Sequence, residues 1–205
     1  AAPEEIVKVL VILAVGLRNR SRGVDPMDTV VYGAAAGLGF AAYENLAYLV
    51  QHADIWRSLA ALRSVLTVPF HGALGIIAGA YLAIARSGTA LGANRHNRDW
   101  ARISSWALVL LGPIALHAAF DFPLLMLQQN PDLPSTTRLL LGAASIVIGF
   151  SSIGFAIRLV RRVGRHQRVQ RIEADDAAAE RRGVTNQLAQ IAEISHAPVA
   201  RRAQR

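Results

Sequence analysis

The chain has 205 residues, 53% of them hydrophobic, no cysteine, a formal net charge of +8 and a sequence pI of about 11.1. The lack of cysteine excludes disulfides, thiolate metal sites and a cysteine nucleophile. So basic a charge would suggest nucleic acid in a soluble protein, but here the apolar residues fall in long blocks with the arginines between them, which is a membrane composition with no nucleic-acid partner.

Five apolar blocks cover residues 6–17, 30–50, 64–85, 100–127 and 139–160. All but the first reach the roughly 20 residues that span a hydrocarbon core. The expected fold is all-α, a polytopic transmembrane helix bundle with about five visible spans. The opening at Ala1, without an initiator Met, leads to the expectation that further sequence and further spans precede it. No cleavable signal is visible.

The first helix opens APEEIVKVL, with Glu4 and Glu5 where a helix dipole favours acids, and Lys8 four residues after Glu4 on the same face. A Glu–Lys pair at that spacing can bond internally. The turn GVDPMD follows, in which Asp25-Pro26 has turn chemistry. The second helix carries Gly33, Gly37 and Gly39, which permit close helix approach in lipid, and then Phe40, Glu44 and Asn45. Phe40 and Glu44 share a face, while Asn45 lies about 100° round from Glu44 and is left for helix contact or substrate hydrogen bonding. The acidic Glu44 is the costly residue, at about 2.5–3.5 kcal/mol near a helix centre, so it is expected to face a bundle interior and to meet partners.

Residues 51–62 read as an outer loop with Trp56 as an interfacial anchor, and Arg63 stands at its edge. The third helix contains Pro69, His71, Gly72, Gly75 and Gly79; the proline loosens the hydrogen-bond ladder and the glycines thin one side. His96 in the next loop reads as plain surface. In the fourth helix His117 and Asp121 lie at i and i+4, so the carboxylate can accept from the ring and fix its tautomer, and Pro113 and Pro123 are expected to bend the segment. The fifth helix has no ionisable residue before Arg158 and reads as packing scaffold. The tail from 161 to 205 mixes Arg, Glu and Ala, part helical or disordered.

Basic residues concentrate at 18–22 (RNRSR), at Arg86, Arg95 and Arg98, and in the tail, whereas 128–137 has none. The positive-inside rule places the basic segments and the C-terminal tail in the cytoplasm, making an integral multi-pass protein of the lipid bilayer. Glu5, Glu44, His71 and His117 then lie roughly 20–26 Å from the cytoplasmic ends of their helices. Four helices thus place an acid or an imidazole at one level of the membrane.

Two imidazoles and a carboxylate form a set of the kind that holds catalytic zinc and leaves a position for water. His71, His117 and Glu44 are the expected ligands of a divalent metal, zinc by donor type. Glu4 or Glu5 is the expected general base for the metal-activated water, and Asp121 a partner of His117 or an alternative ligand. Competing readings of the same residues are a transport or proton-relay protein, haem held between His71 and His117, and a non-catalytic membrane scaffold. The absence of visible inverted repeats counts against the transporter and the surrounding carboxylates against haem.

The segments PEEIVK (Glu4, Glu5, Lys8), DPMDTVVYGAAAGLGFAAYEN from Asp25, PFHGALG from Pro69 and LHAAFD ending at Asp121 resemble, in order and spacing, the motifs of PrsW-type intramembrane proteases, and more distantly the CAAX prenyl endopeptidase superfamily. Phe120 stands where members often carry Trp, and Asp28-Thr29 replaces a common Asp-Gly. The resemblance implies an intramembrane metalloendopeptidase, a hydrolase, with Glu4, Glu5, Glu44, His71 and His117 in its active site. Its substrates would be membrane-anchored proteins, in some relatives an anti-sigma factor. The protease-like domain would then cover 1–160, with Phe40 and Asn45 at the substrate.

Overall fold

The computed structural model describes residues 1–19, 25–87 and 98–196, and its described residues form six helices and no strand. Arg20 and Arg22, Arg95 and His96, and the last part of the tail lie outside the described residues. Contacts divide the chain into two compact units, Ala1–Arg165 and His166–Arg205.

Helix α1, Ala2–Arg18, has Pro3 in its first turn, where a missing N–H costs nothing, together with Glu4 and Glu5. Helix α2, Pro26–Gln51, starts on a capping box between Asp25 and Asp28, with the Asp25 amide donating to Asp28 Oδ2 at 3.0 Å. Residues expected to form an outer loop fold instead as a ten-residue helix, α3, Trp56–Val65. The reason lies in the run WRSLAALRSV: Ala and Leu favour helix, and Pro69 ends it, because a proline cannot donate to the Val65 carbonyl. The chain resumes as α4, Thr67–Ser87, with that proline in its first turn. Helix α5, Arg98–Gln129, continues through Pro113 and Pro123, and α6, Ser135–His196, completes the set.

Helix α4 is the centre of the first unit, with α2, α5, α1 and α3 packed around it. Its closest neighbour is α2, along a seam where glycines of each helix meet backbone of the other. A Cβ on Gly33 would overlap the Gly75 carbonyl, one on Gly37 the His71 carbonyl, and one on Gly79 the Thr29 carbonyl. In lipid, where no hydrophobic force drives helices together, such close backbone approach supplies the dispersion contact that does.

Val30, Phe70, Leu74, Ile77, Phe120 and Ala156 belong to the larger core cluster, Ile12, Ala78, Leu82 and Val109 to a smaller one. The first part of α6 packs here as the expected scaffold, with Ser145 Oγ donating to the Phe120 carbonyl at 3.0 Å. Among the described residues three helical segments are long and apolar enough to cross a membrane: Trp56–Arg86, which runs through α3 and α4, Ile103–Gln129 and Ser135–Ala192. Helix α1, with 17 residues, and α2, with Glu44 and Asn45, complete the bundle around them. The second unit is helical as far as His196, and most of its described side chains are exposed.

Candidate active site

Five helices bring their polar side chains to one place. Helix α1 presents Glu4, Glu5 and Lys8, α2 presents Glu44 and Asn45, α3 Arg63, α4 His71, and α5 His117 and Asp121. Glu5, Lys8, His71 and His117 are each 1–2% exposed, which for charged groups requires close pairing.

The pairing is a continuous chain. Arg63 Nε donates to Asn45 Oδ1 at 2.6 Å and its Nη2 to Glu44 Oε2 at 2.7 Å. The same Glu44 oxygen lies 2.8 Å from His71 Nε2, and His71 Nδ1 lies 2.9 Å from Lys8 Nζ. Lysine has only donors, so Nδ1 carries the ring's lone pair; Nε2 then carries the proton and donates to Glu44. Lys8 Nζ also donates to Glu5 Oε1 at 2.6 Å, and that oxygen lies 2.6 Å from His117 Nδ1. On the far side of the ring, His117 Nε2 faces Asp121 Oδ2 at 3.3 Å and Glu4 Oε2 at 3.5 Å. Glu4 Oε2 is buried but accepts no hydrogen bond from a described residue.

Aromatic rings wall this cluster. Phe40 lies 5.5 Å from the His71 ring, and Phe70 packs edge-on to His117 at 5.8 Å while stacking on Phe120 at 4.2 Å. The two imidazoles stand nearly perpendicular at 5.0 Å. A polar cavity of about 170 Å³ opens beside them, lined by Glu4, Glu44, Arg63, His71, His117 and Asp121 among others.

All eight residues singled out from the sequence meet here: Glu4, Glu5, Phe40, Glu44, Asn45, His71, His117 and Asp121. Their arrangement departs from expectation for Lys8 and for Glu44, while Asn45 takes up one of its two open alternatives. Lys8 pairs with Glu5 at i−3, not with Glu4 at i−4, and Glu4 is left to Ala1 and His117. Asn45 is engaged in helix contact through Arg63. Glu44, expected as a ligand, occupies the outer nitrogen of His71, and the carboxylate grouped with both imidazoles is Glu5. Arg63 was hidden from sequence reasoning by its place at the edge of a supposed loop, although it is only 8% exposed and stacks on Tyr48 at 4.0 Å.

Glu5, His71 and His117 each offer one ligand atom, all within 4.8 Å of one another. Two imidazole nitrogens and a carboxylate oxygen suit a borderline divalent ion such as zinc, with room left for a fourth group. Lys8 supports the fit, because its ammonium is a cation already seated between two of the three donors. Glu44 on the protonated nitrogen of His71 is the carboxylate–histidine arrangement that orients a metal-binding ring.

A family model described as PrsW family intramembrane metalloprotease matches residues 1–157. The chain belongs to this family. Among curated proteins it is similar to Protease PrsW of Bacillus subtilis strain 168, 34% identical over 118 residues that make up 58% of this chain and 49% of that protein. It is also similar to Protease PrsW of Halalkalibacterium halodurans, 32% identical over 50% of this chain and 42% of the relative. For Protease PrsW of Clostridioides difficile strain 630 the values are 28%, 60% and 48%. The chain spans about half the length of these curated relatives. No solved structure matches it. The whole polar cluster, from Glu4 to Asp121, lies inside the stretch matched by the PrsW model.

Proposed function

We propose that the chain is an intramembrane endopeptidase that cleaves membrane-anchored proteins at the Glu5–His71–His117 centre. The observation that carries this reading is the buried three-donor grouping beside a polar cavity also lined by Glu4, whose Oε2 accepts no hydrogen bond from a described residue. A divalent ion held by Glu5, His71 and His117, zinc by donor type, would supply Lewis acidity and make a neighbouring water easier to deprotonate.

The chain's own residues do the rest. Glu4 Oε2 accepts no hydrogen bond from a described residue and Glu4 lines the cavity, so it is placed to take a proton from water there and return it to the leaving amine. Glu44 holds the Nε2 proton of His71 and so turns the Nδ1 lone pair inward. Asp121 bears on His117 Nε2 and steadies that ring. Phe40, Phe70 and Phe120 restrict bulk water. Family resemblance suggests an anti-sigma factor among the substrates, and the positive-inside rule keeps the basic tail in the cytoplasm.

The experiment is cleavage of a membrane-anchored reporter by the purified chain and by a Glu4→Gln, Glu5→Gln double variant. Cleavage by the wild type and none by the variant is expected. Normal cleavage by the variant would sink the proposal.

A further inference from the structure

Lys8 is the only lysine in a chain whose other basic residues are all arginine. It is also among the most deeply buried residues, 1% exposed. Arginine's planar fork serves the other ion pairs, whereas lysine offers a compact point charge on a flexible four-carbon stem. That charge sits 2.6 Å from Glu5 Oε1 and 2.9 Å from His71 Nδ1, and 4.6 Å over the face of Phe40.

We propose that Lys8 is an internal counter-cation that holds the Glu5–His71–His117 cradle together and leaves it when a divalent ion enters. The inference rests on the metal reading above. His71 Nδ1 has a single lone pair, because its other nitrogen is committed to Glu44. That lone pair serves either the ammonium or a metal ion, never both. Glu5 Oε1 has more than one acceptor position, but a second cation next to a divalent ion is strongly repelled at such short range. Lys8 therefore gives up His71 as the ion binds.

The fold provides somewhere for it to go. A cavity of about 350 Å³ adjoins Lys8, lined by Val7, Val11, Tyr32, Ala36 and Phe40 among others. The stem can swing into this space while the ammonium stays against the Phe40 ring face. In the ion's absence Lys8 neutralises Glu5 and keeps His71 turned inward, so the cradle is preformed at the cost of weaker metal affinity. Entry of the ion and movement of Lys8 are thus one event.

The single lysine makes this measurable without any activity assay. The full chain, labelled with Nζ-15N lysine in detergent micelles, has one side-chain ammonium resonance to follow as zinc is added. The expected result is a shift that saturates at about one ion per chain, absent in His117→Ala, with Lys8→Met binding zinc at least ~10-fold more tightly. Zinc bound by the wild type with the resonance unmoved overturns the inference and leaves the metal reading intact, as does a folded Lys8→Met with no gain in affinity. No zinc bound by either folded protein overturns the metal reading itself. The resonance is read on the wild type, so the test survives if Lys8→Met fails to fold.

Discussion

The two ends of the polar chain are built differently, although His71 joins them. At the inner end, Glu5, Lys8 and His117 are all but inaccessible, and Glu5 Oε1 lies 2.6 Å from both the Lys8 ammonium and His117 Nδ1. At the outer end Arg63 grips Glu44 and Asn45 at once, with side-chain exposures of 10% for Arg63 and 19% for Glu44, beside Tyr48. Charges removed from water gain strength from each other but pay heavily when one is lost, whereas partly wetted charges are cushioned. The inner end is thus suited to chemistry and the outer end to alignment.

The largest expected effect comes from breaking the inner end. Glu5→Gln leaves the Lys8 ammonium buried without a carboxylate, and a cost of about 3–5 kcal/mol is expected in unfolding measured in detergent. Next is Arg63→Met, which strips Glu44 of one of its two donors and unpairs Asn45. About 1–3 kcal/mol is expected by the same measurement, with metal binding retained, because no ligand is touched. Arg63→Lys should recover only part of this, since an ammonium cannot reproduce the fork that spans both acceptors. The smallest is Asn45→Ala, at about 1 kcal/mol, a single hydrogen bond to a charged donor lost near the surface of the cluster. Equal losses for Glu5→Gln and Asn45→Ala would erase the distinction between the two ends.

This contrast also governs what was legible in the sequence. Glu44, His71, His117 and Asp121 stood out because ionisable groups within apolar helices are costly, and the equal depths of four helices pointed to a common chamber. Arg63 carries as much of the alignment, but an arginine at the edge of a polar stretch looks like an ordinary membrane flank. Its burial depends on α3 folding where a loop was expected, and that follows from the helix-favouring Ala and Leu residues of WRSLAALRSV. The choice of Glu5 over Glu4 as the partner of Lys8 was not readable either. Both lie on the lysine's side of α1, and only the position of α5, which brings His117 to Glu5 Oε1, separates them.

The glycines show the same limit in the fold. Gly33 and Gly37 alone are a weak pattern, and their meaning lies in register with Gly75 and the His71 backbone on α4. Because Gly37 abuts the His71 carbonyl, the seam that joins α2 to α4 also sets the height of the imidazole against Glu44. Packing and site geometry share one interface.

Whether Glu5, His71 and His117 hold a divalent ion is read by metal analysis of the purified full chain. About one divalent ion per wild-type chain is expected, and none in folded His71→Ala or His117→Ala variants. A folded wild type that holds no ion, or variants that keep the wild-type stoichiometry, would contradict the metal reading.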